Sequence, residues 1–468
     1  MKPAAGSAAV ALSQDPLTLE DLLENGQGVG RAAGVVAFVT GGLPGETVRI
    51  AVDVVKRNYV SGHVKTIEQA SPDRVAPFCP VFPQCGGCQT QHLAYQSQLK
   101  WKQRMVGDAL ARLGGLRGVQ VDDTIASPNE KRSVQPDDHQ HSTGYRNKAS
   151  LVTRFAGGRT RLGFYAARTH RVVPIEGCPV LLPRLDAAVR ELVAFAGKTP
   201  RPFAGVQHVV ARASATGPAL VLSFNGAKPN NVLGGLADEL RASIHGLTGL
   251  TISWELENEN AIFGKRIAGL WGSPALEETI AGARLRFGIS SFFQVNTAVL
   301  ELVAQRVIAE LSDASRVVDL YCGVGTFGVI LGMRGVASTG IESFKPAVDE
   351  AAANASLNGV VNAAYEHADA AEAVSGKRGR TLLARTDAVI LDPPRKGCEP
   401  AVLTALSGNA VPNILYVSCN PATLARDAKI LVEQGYRLER ATPYDMFPQT
   451  GHVEIVAMFR LTKSTKER

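Results

Sequence analysis

The C-terminal part of the chain alternates apolar, strand-like runs with helical segments. After about residue 286, the runs SRVVDLYC, VASTGIES, DAVILDPPR and ILYVSCN are separated by segments such as PAVDEAAANASLNG. This alternation predicts a parallel, doubly wound α/β sheet of the Rossmann-like class, because parallel strands are joined by helical crossovers. Ligands bind such sheets beyond the carboxyl ends of the strands, so polar residues at those ends are the first candidates for a site.

The chain has 468 residues, too many for one compact core, so we expect several domains. Its first seventy residues contain short β-rich runs and glycine turns, which predict a small five-stranded barrel and favour an OB-like nucleic-acid binder only weakly. The segment from residue 144 onward mixes β-rich and helical runs, as α+β domains do. The expected architecture is therefore an N-terminal OB-like β-barrel over 15–72, a central α+β domain over 73–285 and an α/β domain over 286–468.

Composition favours an intracellular protein with an anionic partner. Lys and Arg number 50 against 43 Asp and Glu, an excess that is compatible with nucleic acid without requiring it. No apolar run approaches the roughly 20 residues that span a bilayer. The N-terminal MKPAAGSAAVALSQDP is interpreted as a frayed leader, so we expect a cytoplasmic location. Seven cysteines in that location are expected to be reduced, metal-bound or catalytic.

Two polar segments bear on contacts with a partner. The stretch YQSQLKWKQRMVGDALARL has helical periodicity, and its Lys100, Lys102 and Arg104 face either phosphates or solvent. Residues 124–143 are polar, contain two prolines and lack periodicity, which predicts a surface loop. The sequence gives no sign of an obligate protein partner.

A cofactor site is predicted where the first strand of the α/β sheet meets a glycine turn. In VVDLYCGVGTFG the strand runs into Gly323 and Gly325, where the backbone can approach a ligand closely. Glu342 closes the next strand, 19 residues after Gly323, where its carboxylate can accept hydrogen bonds from two ribose hydroxyls. The turn lacks the GxGxxG spacing of dinucleotide sites, so S-adenosylmethionine fits better than a dinucleotide. Asp369 follows the third strand and either reaches the adenine or caps a helix.

Two further strand ends carry residues suited to catalysis. LDPPR places Asp392 in a rigid turn beside the cofactor, and YVSCNPATLARD places Cys419 at the next strand end, before a helix whose N-terminus lowers a thiol pKa. C5 of uracil is a poor nucleophile until a thiolate adds at C6, after which a base must remove the C5 proton. We take Glu454 in FPQTGHVEIVAMF as that base. His452 lies on the same face of a predicted strand and is a competing base or a structural partner.

Gln294 in SFFQVN is predicted to bridge the cofactor and the base, the alternative being a polar linker packed by its two phenylalanines. Four other cysteines form a second group: CPVFPQCGGC supplies three, and EGCPV supplies one far downstream. Four thiolates suit either structural zinc or an iron–sulfur cluster, and the spacing does not separate the two. Radical chemistry is disfavoured, because it needs a CxxxCxxC triplet. The four cysteines are Cys79, Cys85, Cys88 and Cys178.

The motifs DLYCGVGTFG, ILDPPRKG, YVSCNPATLARD, FPQTGHVE, SFFQVN and CPVFPQCGGC together resemble the RNA uracil-C5 methyltransferase family, in particular its 23S ribosomal RNA enzymes of RlmD type. The resemblance covers almost the whole chain. It implies an N-terminal TRAM barrel, a central domain with a [4Fe-4S] cluster, and a C-terminal class I methyltransferase domain that uses S-adenosylmethionine. It also implies binding to 23S ribosomal RNA, since transfer RNA enzymes of this kind are expected to match only the catalytic domain.

By this resemblance Cys419 is the nucleophile, Glu454 is the base, and the four cysteines named above are the cluster ligands. Tyr321 and Thr326 depart from the family pattern, which often has Phe and Asn there. The positions that match contacts with the cofactor or target base are Gln294, Tyr321, Thr326, Glu342, Asp369 and Asp392.

Four alternatives remain open from the sequence. A transfer RNA uracil-C5 methyltransferase would share the catalytic residues, and a cytosine-C5 RNA methyltransferase would share the thiol chemistry but need a group for cytosine N3. An amino-group methyltransferase would use the DPP motif without Cys419. A non-catalytic iron–sulfur RNA-binding protein would show no turnover, and neither Cys419 nor Glu454 would matter to it.

Overall fold

The computed structural model describes residues 15–32, 34–128, 143–226, 231–258 and 261–462. Most of the expected leader, residues 1–14, and most of the expected surface loop, residues 129–142, lie outside the described residues. Among the helices in the described ranges, none is both long enough and apolar enough to cross a membrane.

The N-terminal strands close into a five-stranded barrel, as predicted. Strand order is β1-β2-β3-β5-β4, and alternate residues such as Leu17, Leu19, Ala37 and Val39 point into a small apolar core. Alternation with a period of two is what allows one face of each strand to be buried. The strands are β1 (Leu17–Leu22), β2 (Gln27–Ala32), β3 (Val35–Thr40), β4 (Thr47–Val55) and β5 (Tyr59–Gln69).

The cysteine-containing segment leads into helix α1 (Tyr95–Arg112), which packs on the C-terminal domain. The expectation that Lys102 faces phosphates or solvent is wrong. Its side chain is fully buried, and its Nζ donates to Oδ1 of Asp445 at 2.5 Å and to the carbonyl oxygen of Phe447 at 3.1 Å. Arg104 is bonded to Asp21 of the barrel at 3.1 Å, whereas Lys100 is exposed.

A seven-stranded sheet with helices on one face forms the middle of the chain, which confirms the α+β prediction. Its order is β12-β11-β10-β9-β6-β7-β8, and helices α2 (Pro183–Lys198) and α3 (Asn231–Ser243) share its apolar core. A separate hairpin, β13 (Ala275–Ile280) and β14 (Ala283–Gly288), follows the sheet, so the expected domain boundary at 285 falls within β14. The sheet strands are β6 (Lys148–Ala156), β7 (Arg159–Tyr165), β8 (Val172–Pro174), β9 (His208–Ala213), β10 (Leu220–Asn225), β11 (Gly249–Trp254) and β12 (Arg266–Gly272), with a 3₁₀ turn at Arg201–Phe203.

The C-terminal domain is the predicted doubly wound sheet. Its order is β17-β16-β15-β18-β19-β21-β20. The pairs from β17 to β19 are parallel, and β21 runs antiparallel to both β19 and β20. The strands are β15 (Arg316–Leu320), β16 (Ala337–Glu342), β17 (Ala363–His367), β18 (Ala388–Leu391), β19 (Asn413–Ser418), β20 (Tyr436–Tyr444) and β21 (Glu454–Leu461). The helices are α4 (Thr297–Glu310), α5 (Thr326–Gly332), α6 (Lys345–Leu357), α7 (Ala370–Ala373), α8 (Gly376–Leu383), α9 (Pro400–Gly408) and α10 (Pro421–Glu433).

Apolar residues on both faces of this sheet explain why its strands are continuous hydrophobic runs. Val317 faces one core cluster and Val318 the other, and both are essentially inaccessible to solvent. Each such buried side chain contributes about 1.5–3 kcal/mol to folding. The carboxyl ends of β15, β16, β18 and β19 therefore meet at one fixed edge, which is where the predicted site residues lie.

Candidate active site

The turn after β15 uses backbone conformations that favour glycine. Tyr321, Gly323 and Gly325 have φ of 69°, 53° and 80°. A Cβ at Gly325 would lie 2.9 Å from Oη of Tyr365, so a side chain there would be crowded. Because the turn has no bulky side chain at its glycines, its backbone is open to a ligand at the N-terminus of α5.

Glu342 is the last residue of β16 and is held against this turn. Its Oε2 accepts a hydrogen bond from the backbone N–H of Gly323 at 3.1 Å, and its Oε1 accepts one from Phe344 at 2.8 Å. The carboxylate is thereby fixed beside the glycine turn with accepting capacity left over, which suits ribose hydroxyls.

Two buried carboxyl groups lie next to Glu342. Asp319 is almost fully buried, and its carboxyl group interacts with the backbone N–H of Gly328. Burial, followed by the charges of Asp392 and Glu342, raises its pKa well above the usual range. Burial and the charge of Glu342 likewise raise the pKa of Asp392 to about 7. The carboxyl groups of Glu342 and Asp392 at this edge fit a ligand that carries hydroxyl and ammonium donors and a positive sulfonium, as S-adenosylmethionine does.

The other predicted cofactor residues have local partners in the structure. The hydroxyl of Tyr321 hydrogen bonds with the thiol of Cys398, and Thr326 is the first residue of α5. Asp369 is the N-cap of α7 and accepts hydrogen bonds from Ala371 and Glu372, which is the helix-cap alternative foreseen for it. Its assignment to the adenine stays a prediction.

Gln294 lies in a loop that the middle domain holds in place. Both terminal nitrogens of the buried Arg212 guanidinium donate to this loop, at 2.9 Å to the carbonyl of Ser291 and at 3.1 Å to that of Phe293. Nδ2 of Asn147 donates to the carbonyl of Gln294 at 3.1 Å. These bonds fix the backbone and leave the half-buried amide of Gln294 available at the edge of the site.

Cys419 follows β19 directly and is half-buried. The prediction that the helix N-terminus lowers its pKa is wrong. The pKa of the thiol is raised to about 11, first by burial and then by the charge of Glu454, with a further contribution from Asp392. The N–H groups at the start of α10 do not offset this, because those of Ala422 and Thr423 already donate to the side chain of Asn420.

Glu454 is the first residue of β21 and is 1% exposed. Its Oε2 has no hydrogen-bond partner in the described part of the chain. Burial and the charge of Asp392 raise its pKa well above the usual value. A carboxylate in that state is a stronger base than one in water, and it lies close enough to Cys419 for each charge to affect the other.

His452 is not on the same strand face as Glu454, contrary to the prediction, because the strand begins only at Glu454. His452 lies in the preceding loop. Its Nδ1 lies 3.0 Å from Oε1 of Glu24 in the barrel. A terminal nitrogen of Arg395 lies 2.8 Å from the same Nδ1 and 3.0 Å from Nε2. The ring therefore links the barrel to the active site.

Sequence reasoning missed Arg395 and Glu24. Arg395 hydrogen bonds with the thiol of Cys419 and is the group that favours its charged form. The signal for Arg395 was present in LDPPR, where a cation follows the rigid turn. Glu24 carries no local signal, because its contact depends on how the barrel docks.

The four predicted metal-binding cysteines line one cavity of about 200 Å³, together with Phe82, Tyr145 and Arg146. Burial raises the pKa of Cys88 and of Cys178 to about 12. The charges of Cys79 and Cys85 contribute to both shifts, and the charge of Cys88 contributes to the shift of Cys178. In the described residues, no three His, Cys, Asp or Glu side chains are close enough together to hold a metal ion. The structure therefore brings the four cysteines to one cavity without arranging them as a metal site.

Two family models match the chain. The model described as tRNA (Uracil-5-)-methyltransferase matches residues 279–461, and the TRAM domain model matches residues 16–65. The first match contains the glycine turn, Cys419 and Glu454, and the second contains most of the closed barrel.

Similar proteins match nearly the full length. A protein of Listeria innocua named as an uncharacterized RNA methyltransferase is 34% identical over 95% of this chain and 97% of its own length. A protein of Gloeobacter violaceus with the same kind of name is 38% identical over 93% of this chain and 94% of its own.

A solved structure also matches over nearly the full length. The crystal structure of Pyrococcus abyssi tRNA (uracil-54, C5)-methyltransferase in complex with S-adenosyl-L-homocysteine is 25% identical, with a TM-score of 0.72, over 96% of this chain and 100% of that one. The expectation that transfer RNA enzymes match only the catalytic domain is therefore wrong.

Proposed function

The chain belongs to the family of S-adenosylmethionine-dependent RNA uracil-C5 methyltransferases, and on that premise we propose that it methylates C5 of a uridine in 23S ribosomal RNA through a covalent adduct with Cys419. The covalent mechanism is supported by the hydrogen bond between Cys419 and Arg395 and by the proximity of Cys419 to Glu454, and the choice of 23S ribosomal RNA rests on the resemblance of the sequence motifs. S-adenosylmethionine supplies the electrophilic methyl group on its sulfonium.

Arg395 prepares the nucleophile in this mechanism. Burial and two carboxyl groups favour the neutral thiol, and the guanidinium of Arg395 opposes them by hydrogen bonding with the charged form. The thiolate of Cys419 adds to C6 of the uracil and the electron pair moves toward C5, which becomes the carbon that attacks the methyl group.

Glu454 completes the reaction as the base. After methylation C5 carries both a proton and a methyl group, and the carboxylate removes the proton so that the Cys419–C6 bond can break. Its raised pKa makes the Glu454 carboxylate a stronger proton acceptor than a carboxylate in water. Asp392, Glu342 and the backbone at Gly323 would hold the cofactor, with Gln294 between cofactor and base.

A [4Fe-4S] cluster held by the four cysteines is the second part of the proposal. The support is that the four thiols line one cavity and that Cys178 lies close to the three from the cysteine segment. A cluster there would join the cysteine segment to the middle domain and would take no part in methyl transfer. Iron and sulfide analysis of anaerobically purified protein tests it, and replacement of Cys178 by Ala should remove the bound iron.

Transfer RNA is a second candidate substrate, favoured by the full-length likeness to the Pyrococcus abyssi enzyme. The test uses labelled S-adenosylmethionine with unmodified 23S ribosomal RNA and, separately, unmodified transfer RNA, followed by nucleoside chromatography. Labelled 5-methyluridine from 23S RNA alone supports the proposal, and the same product from transfer RNA alone replaces it. A 5-methylcytidine product would contradict the uracil chemistry.

A further inference from the structure

A second cavity lies between the barrel, the cysteine segment and the loop before β21. Its volume of about 640 Å³ is within the usual range of ligand sites. The barrel contributes the β1–β2 turn, residues 23–27, the cysteine segment contributes Phe82 and its neighbours, and His452 contributes from the C-terminal domain. The proposed methyl transfer does not use this cavity.

His92 lines this cavity, and its buried imidazole is the polar group from which we infer a ligand. It is 3% exposed, and neither Nδ1 nor Nε2 has a hydrogen-bond partner within the described ranges. Buried polar groups without partners are costly, so a native site that keeps one generally has a use for it. Burial lowers the pKa of His92 to about 4, and a neutral imidazole offers one donor and one acceptor.

An aromatic ring and a free cation accompany His92. The ring of Phe82 lines the same cavity and packs beside His92, with ring centroids 5.4 Å apart. Arg168 is exposed on the cavity wall and has no ion-pair or hydrogen-bond partner among the residues that the structure describes. Glu24, the acidic residue in the lining, is already paired with His452. The lining therefore combines hydrogen-bonding capacity, an aromatic surface and a positive charge.

We propose that this cavity binds a nucleotide that flanks the target uridine in the RNA substrate. His92 hydrogen bonds with the edge of the base, Phe82 contacts its face, and Arg168 pairs with a backbone phosphate. The position supports this, because His452 lines the cavity and Glu454, two residues later, lies in the active site. Two residues span at most about 7 Å of chain, so an RNA strand can enter both sites at once. The inference rests on the proposed function.

The test is an abasic scan of the RNA combined with protein variants. The substrate is the shortest 23S RNA stem-loop that the anaerobically purified wild type methylates, with single abasic positions at the three nucleotides on each side of the uridine. Dissociation constants are measured for the wild type, His92→Phe, Arg168→Ala and Arg385→Ala. Arg385 is a matched control, because it is also exposed and has φ of 60° against 56° for Arg168.

One abasic position should weaken RNA binding by the wild type on the order of tenfold. The same abasic position should have less than about half that effect on His92→Phe, because phenylalanine keeps an aromatic ring but lacks both imidazole nitrogens. Arg168→Ala should weaken all the RNAs similarly and lower the slope of log Kd against log salt by about one, while Arg385→Ala should match the wild type. If His92→Phe fails to fold, the salt slope of Arg168→Ala decides the question.

Identical abasic penalties in all variants, with Arg168→Ala equal to Arg385→Ala, would overturn the proposal. Failure of the function proposal is recognised separately, because no 23S stem-loop would then be methylated by the wild type. In that case the scan is made on the transfer RNA transcript that is methylated, and the same comparison of variants decides whether the cavity binds a base.

Discussion

Oε1 of Glu24 in the barrel lies 3.0 Å from Nδ1 of His452, two residues before the proposed base. The same imidazole contacts Arg395, which hydrogen bonds with the thiol of Cys419. Gly451 lies beneath this contact, and a Cβ there would come within 1.7 Å of the carbonyl oxygen of Glu24. The barrel therefore packs directly on the loop that positions Glu454, so barrel docking and catalysis are physically connected.

Replacement of Gly451 by Ala should displace that loop from the barrel. We expect the free energy of unfolding to fall by about 1–3 kcal/mol, as at other overpacked sites. Turnover should fall at least about tenfold, because raising the activation free energy by about 1.4 kcal/mol is enough for that. Denaturant unfolding and initial rates measure the two effects. Gly408→Ala is the control, since a Cβ there meets nothing within 4 Å. Equal behaviour of the two variants would show that the contact is unimportant.

The buried pair of Lys102 and Asp445 should be needed for stability. Lys102→Met leaves the Asp445 carboxyl buried without its cation, and breaking such a pair costs about 3–5 kcal/mol. Lys100→Met, an exposed position on the same helix, should change stability by less than about 0.5 kcal/mol. Denaturant unfolding curves of both variants check this. A loss at Lys102 no greater than that at Lys100 would mean that the pair contributes nothing.

The sequence was sufficient to predict which residues reach the carboxyl edge of the sheet, because the topology of a parallel sheet decides this. In a parallel sheet, the residues after Leu320, Glu342, Leu391 and Ser418 come to one edge whatever the loops do, so the positions of Asp392 and Cys419 could be predicted. The barrel could also be predicted, because the alternation of buried and exposed residues in its strands is a local sequence pattern.

Features that depend on docking between distant segments could not be predicted. Helical periodicity places Lys102 on a face of α1, but only the packing of α1 on Asp445 makes that face a buried one. The charge state of Cys419 depends on Glu454, which lies 35 residues away, and on Arg395. The helix N-terminus was visible in the sequence, whereas the burial and the two carboxyl groups that outweigh it were not.

Asp392→Asn should make Cys419 more reactive. The Asp392 carboxylate raises the pKa of the thiol, so removal of that charge lowers the pKa and increases the thiolate fraction. Because Asp392 itself has a pKa of about 7, the difference should be small at pH 6 and should grow as the pH rises through 7. Alkylation of Cys419 by iodoacetamide, followed by peptide mass spectrometry, measures it, with the exposed Asp313→Asn as control. Slower alkylation of Asp392→Asn than of the wild type at pH 8 would show that Asp392 does not raise the pKa of the Cys419 thiol.

Glu454→Gln should stop the reaction after methyl transfer. The amide cannot accept the C5 proton, so the Cys419–C6 bond should persist and a protein–RNA complex that survives denaturing electrophoresis should accumulate. Turnover should fall by 10² or more, in the usual range for a general base. Normal turnover without such a complex would assign the base to another residue.

The covalent role of Cys419 is tested most directly with RNA in which the target uridine is replaced by 5-fluorouridine. Fluorine at C5 leaves no proton for Glu454 to remove, so addition and methylation should end in a stable complex. In the presence of S-adenosylmethionine, we expect a methylated RNA fragment joined to the Cys419 peptide of the wild type, and none with Cys419→Ser. A complex of equal yield with Cys419→Ser, or attachment to another cysteine, would contradict it.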